Sequence, residues 1–215
     1  MITRWAAAGS AIAGALGAIG AGIAVAGSAP WTYVSESGVP GAPHAGLYRA
    51  SMVLLAVSLG LLAVPARRAC ALIGGSLALA APLAFVSAAV HCSPGCPLPP
   101  YEAPAARDLV HAGGAIGALL LCGLAILLYS LLPADRLLRR TGWVGAAIAY
   151  PPLVLSAFGI LFVGRSLFTG VLERAALVGV SAWLVLTAAR HARRGAAVVP
   201  EADVRTAARH AGRRA

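Results

Sequence analysis

Six long apolar stretches constrain this chain more than anything else in it. They run from Trp5 to Ser28, Gly46 to Val64, Ala69 to Val90, Leu109 to Leu132, Gly142 to Val163 and Gly170 to Ala189, and together carry only three formally charged side chains, Arg49, Glu173 and Arg174. A bilayer core takes about 20 apolar residues per helix at roughly 1.5 Å each, so each stretch matches one crossing. With 60% hydrophobic and 11% charged residues and a mean hydropathy of +0.83, the chain lacks the charge to cover a soluble globule. The expectation is an all-α, polytopic membrane protein: a bundle of six transmembrane helices forming one domain over residues 1–190, followed by an Arg-rich tail over 191–215.

Charge sets the expected orientation. All 17 basic residues are arginine, and the net charge is +10. A cytoplasmic N-terminus puts 13 of them inside (Arg4, Arg67, Arg68, Arg136, Arg139, Arg140 and the seven from Arg190 onward) and leaves Arg49, Arg107, Arg165 and Arg174 outside. Membrane topology therefore explains the positive charge without nucleic acid, which is not expected as a partner. Both termini are expected in the cytoplasm of a multi-pass cell-membrane protein, with the His91 to His111 loop extracytoplasmic. Arg4 followed by an apolar run and Ala24-Val25-Ala26 also fits a cleaved signal peptide. The run is longer than an ordinary signal core, so a retained helix is favoured. Within it Gly9, Gly14, Gly17, Gly20 and Gly22 mark a face against which another helix packs closely.

Three connections are expected to be short: Pro65-Ala66-Arg67-Arg68 as a tight turn, Pro133 to Thr141 as a basic loop, and the turn around Arg165. Pro82 is expected to bend helix 3, and Tyr150-Pro151-Pro152 to kink helix 5. Cys70 reads as a small buried apolar residue. In the tail, Glu201 and Asp203 ahead of Arg205, Arg209, Arg213 and Arg214 suit a short helix aligned with its dipole on the inner surface.

The chemistry-bearing residues crowd into the two outer loops. The first, Ala29 to Arg49, combines Trp31, Tyr33 and Tyr48 with Pro30, Gly38, Pro40 and Pro43, a folded-back interfacial segment in which Glu36 and Arg49 are placed to pair. Here the chain resembles the domain-of-unknown-function 998 membrane proteins, and distantly the Frag1/DRAM/Sfk1 proteins. The resemblance rests on Ser35, Glu36, Gly38 and Pro40 after the first helix, Tyr48 and Arg49 opening the second, and Asp108 and His111 at the start of the fourth. It implies six membrane helices and brings no activity with it. The paired cysteines are not expected of every member.

The second loop holds His91, Cys92, Cys96, Glu102, Arg107, Asp108 and His111. Ser93-Pro94-Gly95-Cys96 places Pro and Gly at the middle of a type II turn, folding Cys92 toward Cys96. A disulfide is expected on an oxidising face. The alternative is thiolate ligation of zinc or copper by His91, Cys92, Cys96 and His111, and no cofactor is predicted beyond it. Asp108 and His111 share one helix face. Asp108 suits the positive helix end, whereas His111, one turn inside, is expected to bond Asp108 or Glu36, or to serve as an acid-base, metal or headgroup group. Arg165, Glu173 and Arg174 close the same face, as a solvated ion group or as a site for an anionic headgroup.

No phosphate-binding glycine loop, HExxH or GxSxG occurs. The expected function is a non-catalytic membrane protein whose structured outer face recognises lipid headgroups or a partner, a second membrane protein or another copy of the chain. Ser35, Glu36, Arg49, Arg107 and Arg165 are the ligand candidates. The alternatives are a membrane-surface metal-dependent hydrolase or transferase using Asp108, His111 and His91, with His44 or Glu36, and a small-solute transporter centred on Pro151-Pro152.

Overall fold

The computed structural model describes residues 2–133 and 135–197; the expected helix of the tail lies outside them. The described residues form six helices and no strand: α1 (Ile2–Ala26), α2 (Ala45–Ala69), α3 (Ala71–Ala89), α4 (Ala106–Leu131), α5 (Arg136–Phe162) and α6 (Leu167–Ala197), with a short 3-10 turn at Val34–Gly38. All six are long and apolar enough to cross a membrane.

Consecutive helices pack antiparallel, and α6 returns to α1, so the six form a closed ring. Helix α1 shows how the sequence drives this. Its small residues Ala7, Ser10, Ala13, Gly14, Gly17, Gly20, Ala21 and Ala24 are buried, while Ile12, Leu16, Ile19 and Ile23 point outward. Small side chains inside and large ones outside invert the pattern of a soluble helix, as expected where close backbone approach and not water exclusion drives association. The expected packing face is present at Gly9, Gly14, Gly17 and Gly20, whereas Gly22 is exposed with nothing within 4 Å of an added side chain. A side chain on Gly17 would meet the α2 backbone at Ser51 and Leu55, and one on Gly14 would meet Ser58 and Val185. Ser10 and Ser58 lock α1 to α2 reciprocally, each hydroxyl donating to the other's carbonyl at 2.8 Å. Inside the ring, Leu62, Ile73, Leu77, Ile126, Tyr129 and Leu184 are fully buried.

Several expected boundaries move. The Pro65–Arg68 stretch is not a turn: α2 continues through it to Ala69, and the chain reverses at the single extended residue Cys70 (φ −165°, ψ 131°). Proline costs that helix one N–H donor, and Cys70 N donates to Ala66 O beyond it, so the last turn still closes. Cys70 is thus a half-buried hinge rather than a buried core residue. Arg136, Arg139 and Arg140 lie on the first turns of α5 instead of in a loop, because the Asp135 carboxylate accepts from Leu137 N at 2.7 Å and Leu138 N at 3.1 Å and caps the helix. Helix α6 runs on through Arg190–Arg194, residues assigned above to the helix end and tail. Helices α3 and α5 are continuous through Pro82 and through Pro151 and Pro152.

The alternation of helices gives the bundle two unlike ends. One, here the loop end, carries the 3-10 turn, the 90–105 segment and the α5–α6 connection. The other, the arginine end, gathers the start of α1, the α2–α3 hinge, the α4–α5 connection and the last described turns of α6.

Candidate functional site

The loop end is built from three connections, and its charged side chains are what join them. In the first, Tyr33 N donates to Glu36 Oε1 at 2.9 Å, closing the 3-10 turn, and Val34 N donates to Glu173 Oε2 at 2.8 Å. From the second turn of α6, Arg174 donates to the carbonyls of Ala29 (2.8 Å) and Thr32 (2.9 Å) and to Ser28 Oγ (2.8 Å). Glu173 and Arg174 are therefore not a solvated ion group, since both side chains are tied to backbone. They satisfy the backbone of a loop that leaves the helix regime and has no internal ladder of its own.

The second connection contains the expected type II turn: Cys96 N donates to Ser93 O at 2.8 Å, Gly95 has φ +86°, and Cys92 and Cys96 are paired as a disulfide with Cα atoms 5.1 Å apart. Cys92 and Cys96 pack with Tyr33 and Val39, which fixes this turn on the first loop. Ser35, half-buried, places its carbonyl 4.0 Å from Cys92 Sγ. Asp108, only 2% exposed, accepts from Ser93 N at 2.5 Å, Ser93 Oγ at 3.0 Å and Ala105 N at 2.8 Å. One carboxylate thus caps α4 and anchors the disulfide turn. Arg107, beside it, donates from Nε to Ser93 Oγ at 3.0 Å.

His111 departs from expectation. Its partner is neither Asp108 nor Glu36: Nδ1 lies 2.8 Å from Ser87 O and 2.7 Å from Val90 O. Carbonyls only accept, so Nδ1 carries the proton and the ring ties α4 to the last turn of α3, where helix-end carbonyls lack partners. Asp108 and His111 share a helix face and serve two different neighbours. Among the described residues no three His, Cys, Asp or Glu side chains gather as a metal site would require; His91 stands half-buried at the start of the loop.

Arg165, in the third connection, is the keystone. Nη1 pairs with Glu36 Oε1 at 2.5 Å, Nη2 reaches Gly95 O and, at 3.3 Å, Glu102 Oε1, and the guanidinium lies 5.2 Å from the Tyr33 ring centre. Glu36 thus pairs with Arg165 and not with Arg49, which lies at the α2 end beside Gly38. Burial, with Glu102 second, pushes the Tyr33 phenol upward, so it stays neutral against the cation. Gly164, at φ +75°, brings the chain against the Tyr101 ring, which a side chain there would strike.

Of the ligand candidates, Glu36 and Arg165 are brought together and spend their hydrogen bonds within the chain. Arg107 touches the disulfide turn. Ser35 meets it through its carbonyl at Cys92, and Arg49, half-buried, lies beside Gly38. Sequence reasoning missed Glu102 as an Arg165 partner and Arg174 as the clamp of the first loop. The only available signal was the presence of acids and bases at the right ends of helices. No family model, curated protein or solved structure matches the chain.

Proposed function

We propose that this is a multi-pass membrane protein of the kind that the domain-of-unknown-function 998 resemblance implies, with the arginine end cytoplasmic and the loop end outside the cell membrane, and that the loop end is a non-catalytic recognition surface. One observation carries the last point: the acid and base expected to do chemistry there, Asp108 and His111, and the central cation Arg165 are engaged within the chain. Asp108 accepts three hydrogen bonds, His111 donates to two helix-end carbonyls, and Arg165 bridges two acids and a carbonyl. A general acid or base needs an open proton site within reach of a substrate. What the cap leaves exposed is instead Trp31, Tyr101 and the prolines at 40, 43, 99 and 100. Aromatic and proline surface, with Arg165 and Arg174 spent on the chain's own carbonyls and acids and Arg107 the exposed cation beside it, suits a membrane-protein partner better than an anionic headgroup.

Two measurements test this. Elemental analysis of the purified protein and of His111→Ala should find no transition metal in either. About one equivalent in the parent, lost in the variant, would favour the metal-dependent hydrolase. Photocrosslinkers at Trp31 and Tyr101 in intact membranes should give one discrete protein adduct. Lipid adducts alone would move the reading to headgroups.

A further inference from the structure

The arginine end contains a cavity of about 310 Å³ at the seam where the start of α1, the end of α2 and the end of α6 meet. Its wall brings together Arg4 and Thr3 from α1, Arg68 from α2, and His191 and Arg194 from α6. We infer that this cavity is a binding site for a phosphate group, carried by an anionic lipid or by a free phosphate. The inference is independent of the loop-end reading, because the two ends share no residue.

Charge bias in topology accounts for arginines at this end, but not for three of them, from three helices far apart in sequence, facing one space. Their charge is only partly balanced. Arg194 pairs with Asp135, while among the described residues Arg4 and Arg68 have no acid within ion-pair distance. Arg68 donates from Nη1 to Thr3 Oγ1 at 3.2 Å, one of the five N–H groups of its fork. His191 is fixed on the opposite side by Tyr129, whose hydroxyl lies 2.9 Å from Nε2. Three guanidiniums around a space in the usual size range of small-ligand sites suit phosphate recognition, because guanidinium forks match its oxygens in pairs. A seam between helices at the level of the headgroups is open to a lipid from the side.

The test uses the full chain in an uncharged maltoside detergent. Inorganic phosphate, short-chain phosphatidic acid and short-chain phosphatidylcholine are titrated separately while the melting temperature is followed. Phosphatidic acid should raise it saturably, and Arg68→Gln or Arg4→Gln should shift the midpoint about ten-fold to weaker binding. Arg139→Gln, an exposed arginine of the same end outside the cavity, should leave the midpoint unchanged. Stabilisation by inorganic phosphate as well would show that the phosphate group itself is read. Stabilisation by phosphatidic acid alone would assign the site to lipid. Three results would overturn the proposal: no stabilisation by either, equal weakening by Arg139→Gln, or equal stabilisation by phosphatidylcholine. If Arg68→Gln disturbs the fold through Thr3, Arg4→Gln decides, since that exposed side chain holds nothing else among the described residues.

Discussion

Asp108→Ala is expected to be the most damaging single change at the loop end, lowering stability by about 3–5 kcal/mol. The substitution removes an acceptor from Ser93 N, Ser93 Oγ and Ala105 N at once, in a site with 2% exposure where water does not replace it. Asn is no rescue. Its amide must aim an N–H at either Ser93 N–H or Ala105 N–H, so about 2 kcal/mol should still be lost. Arg107→Ala, which gives up only an exposed bond to Ser93 Oγ, should cost less than about 1 kcal/mol. Thermal unfolding in detergent, read beside protease sensitivity of residues 97–104, checks all three. A fully stable Asp108→Ala protein would show that the carboxylate does not hold the cap and would reopen its case as a reacting group.

The second large effect is expected where the start of α5 meets the end of α4. At Gly142 a methyl group would run into the α4 backbone at Tyr129 and Ser130, and backbone cannot rotate away. Gly142→Ala should therefore push α5 off α4 and destabilise by about 3 kcal/mol. Gly22→Ala makes the same chemical change where nothing lies within 4 Å of the added carbon. It should stabilise slightly, by up to about 1 kcal/mol, through helix propensity. Opposite signs for one substitution type would separate backbone approach from intrinsic preference. Equal effects would mean that the α4–α5 contact is looser than described here.

What the sequence makes legible follows from how far apart the interacting residues are. The six helices stand out because hydropathy is a local sum. The type II turn is equally plain, since Pro94 and Gly95 carry their own backbone preferences. Helix ends were misplaced where a local rule met a tertiary remedy. Pro65 reads as a stop, yet α2 passes it because only one donor is lost. The arginines at 136, 139 and 140 read as a loop until Asp135 is seen to cap them. The cap itself was hidden for another reason. Glu36 meets Arg165 across 129 residues and Val34 meets Glu173 across 139. No spacing announces such a pairing, and the nearer Arg49 looked the better partner for Glu36. The arginine cavity was hidden by a sufficient explanation, because topology already accounted for every cation that lines it.

The ring has a consequence for the order in which the molecule can be assembled. Helix α1 meets α2 early, through Ser10 and Ser58, but its other flank is covered by α6, with Val185 against Gly14. The carbonyl of Thr32 likewise waits for Arg174. During synthesis the first five helices must therefore stand as an open arc, with a bare edge on α1 and another on α5, until the final hairpin enters and fills both. A chain that ends before α6 would keep both edges open, the α1 flank at Gly14 and the α5 face that α6 covers.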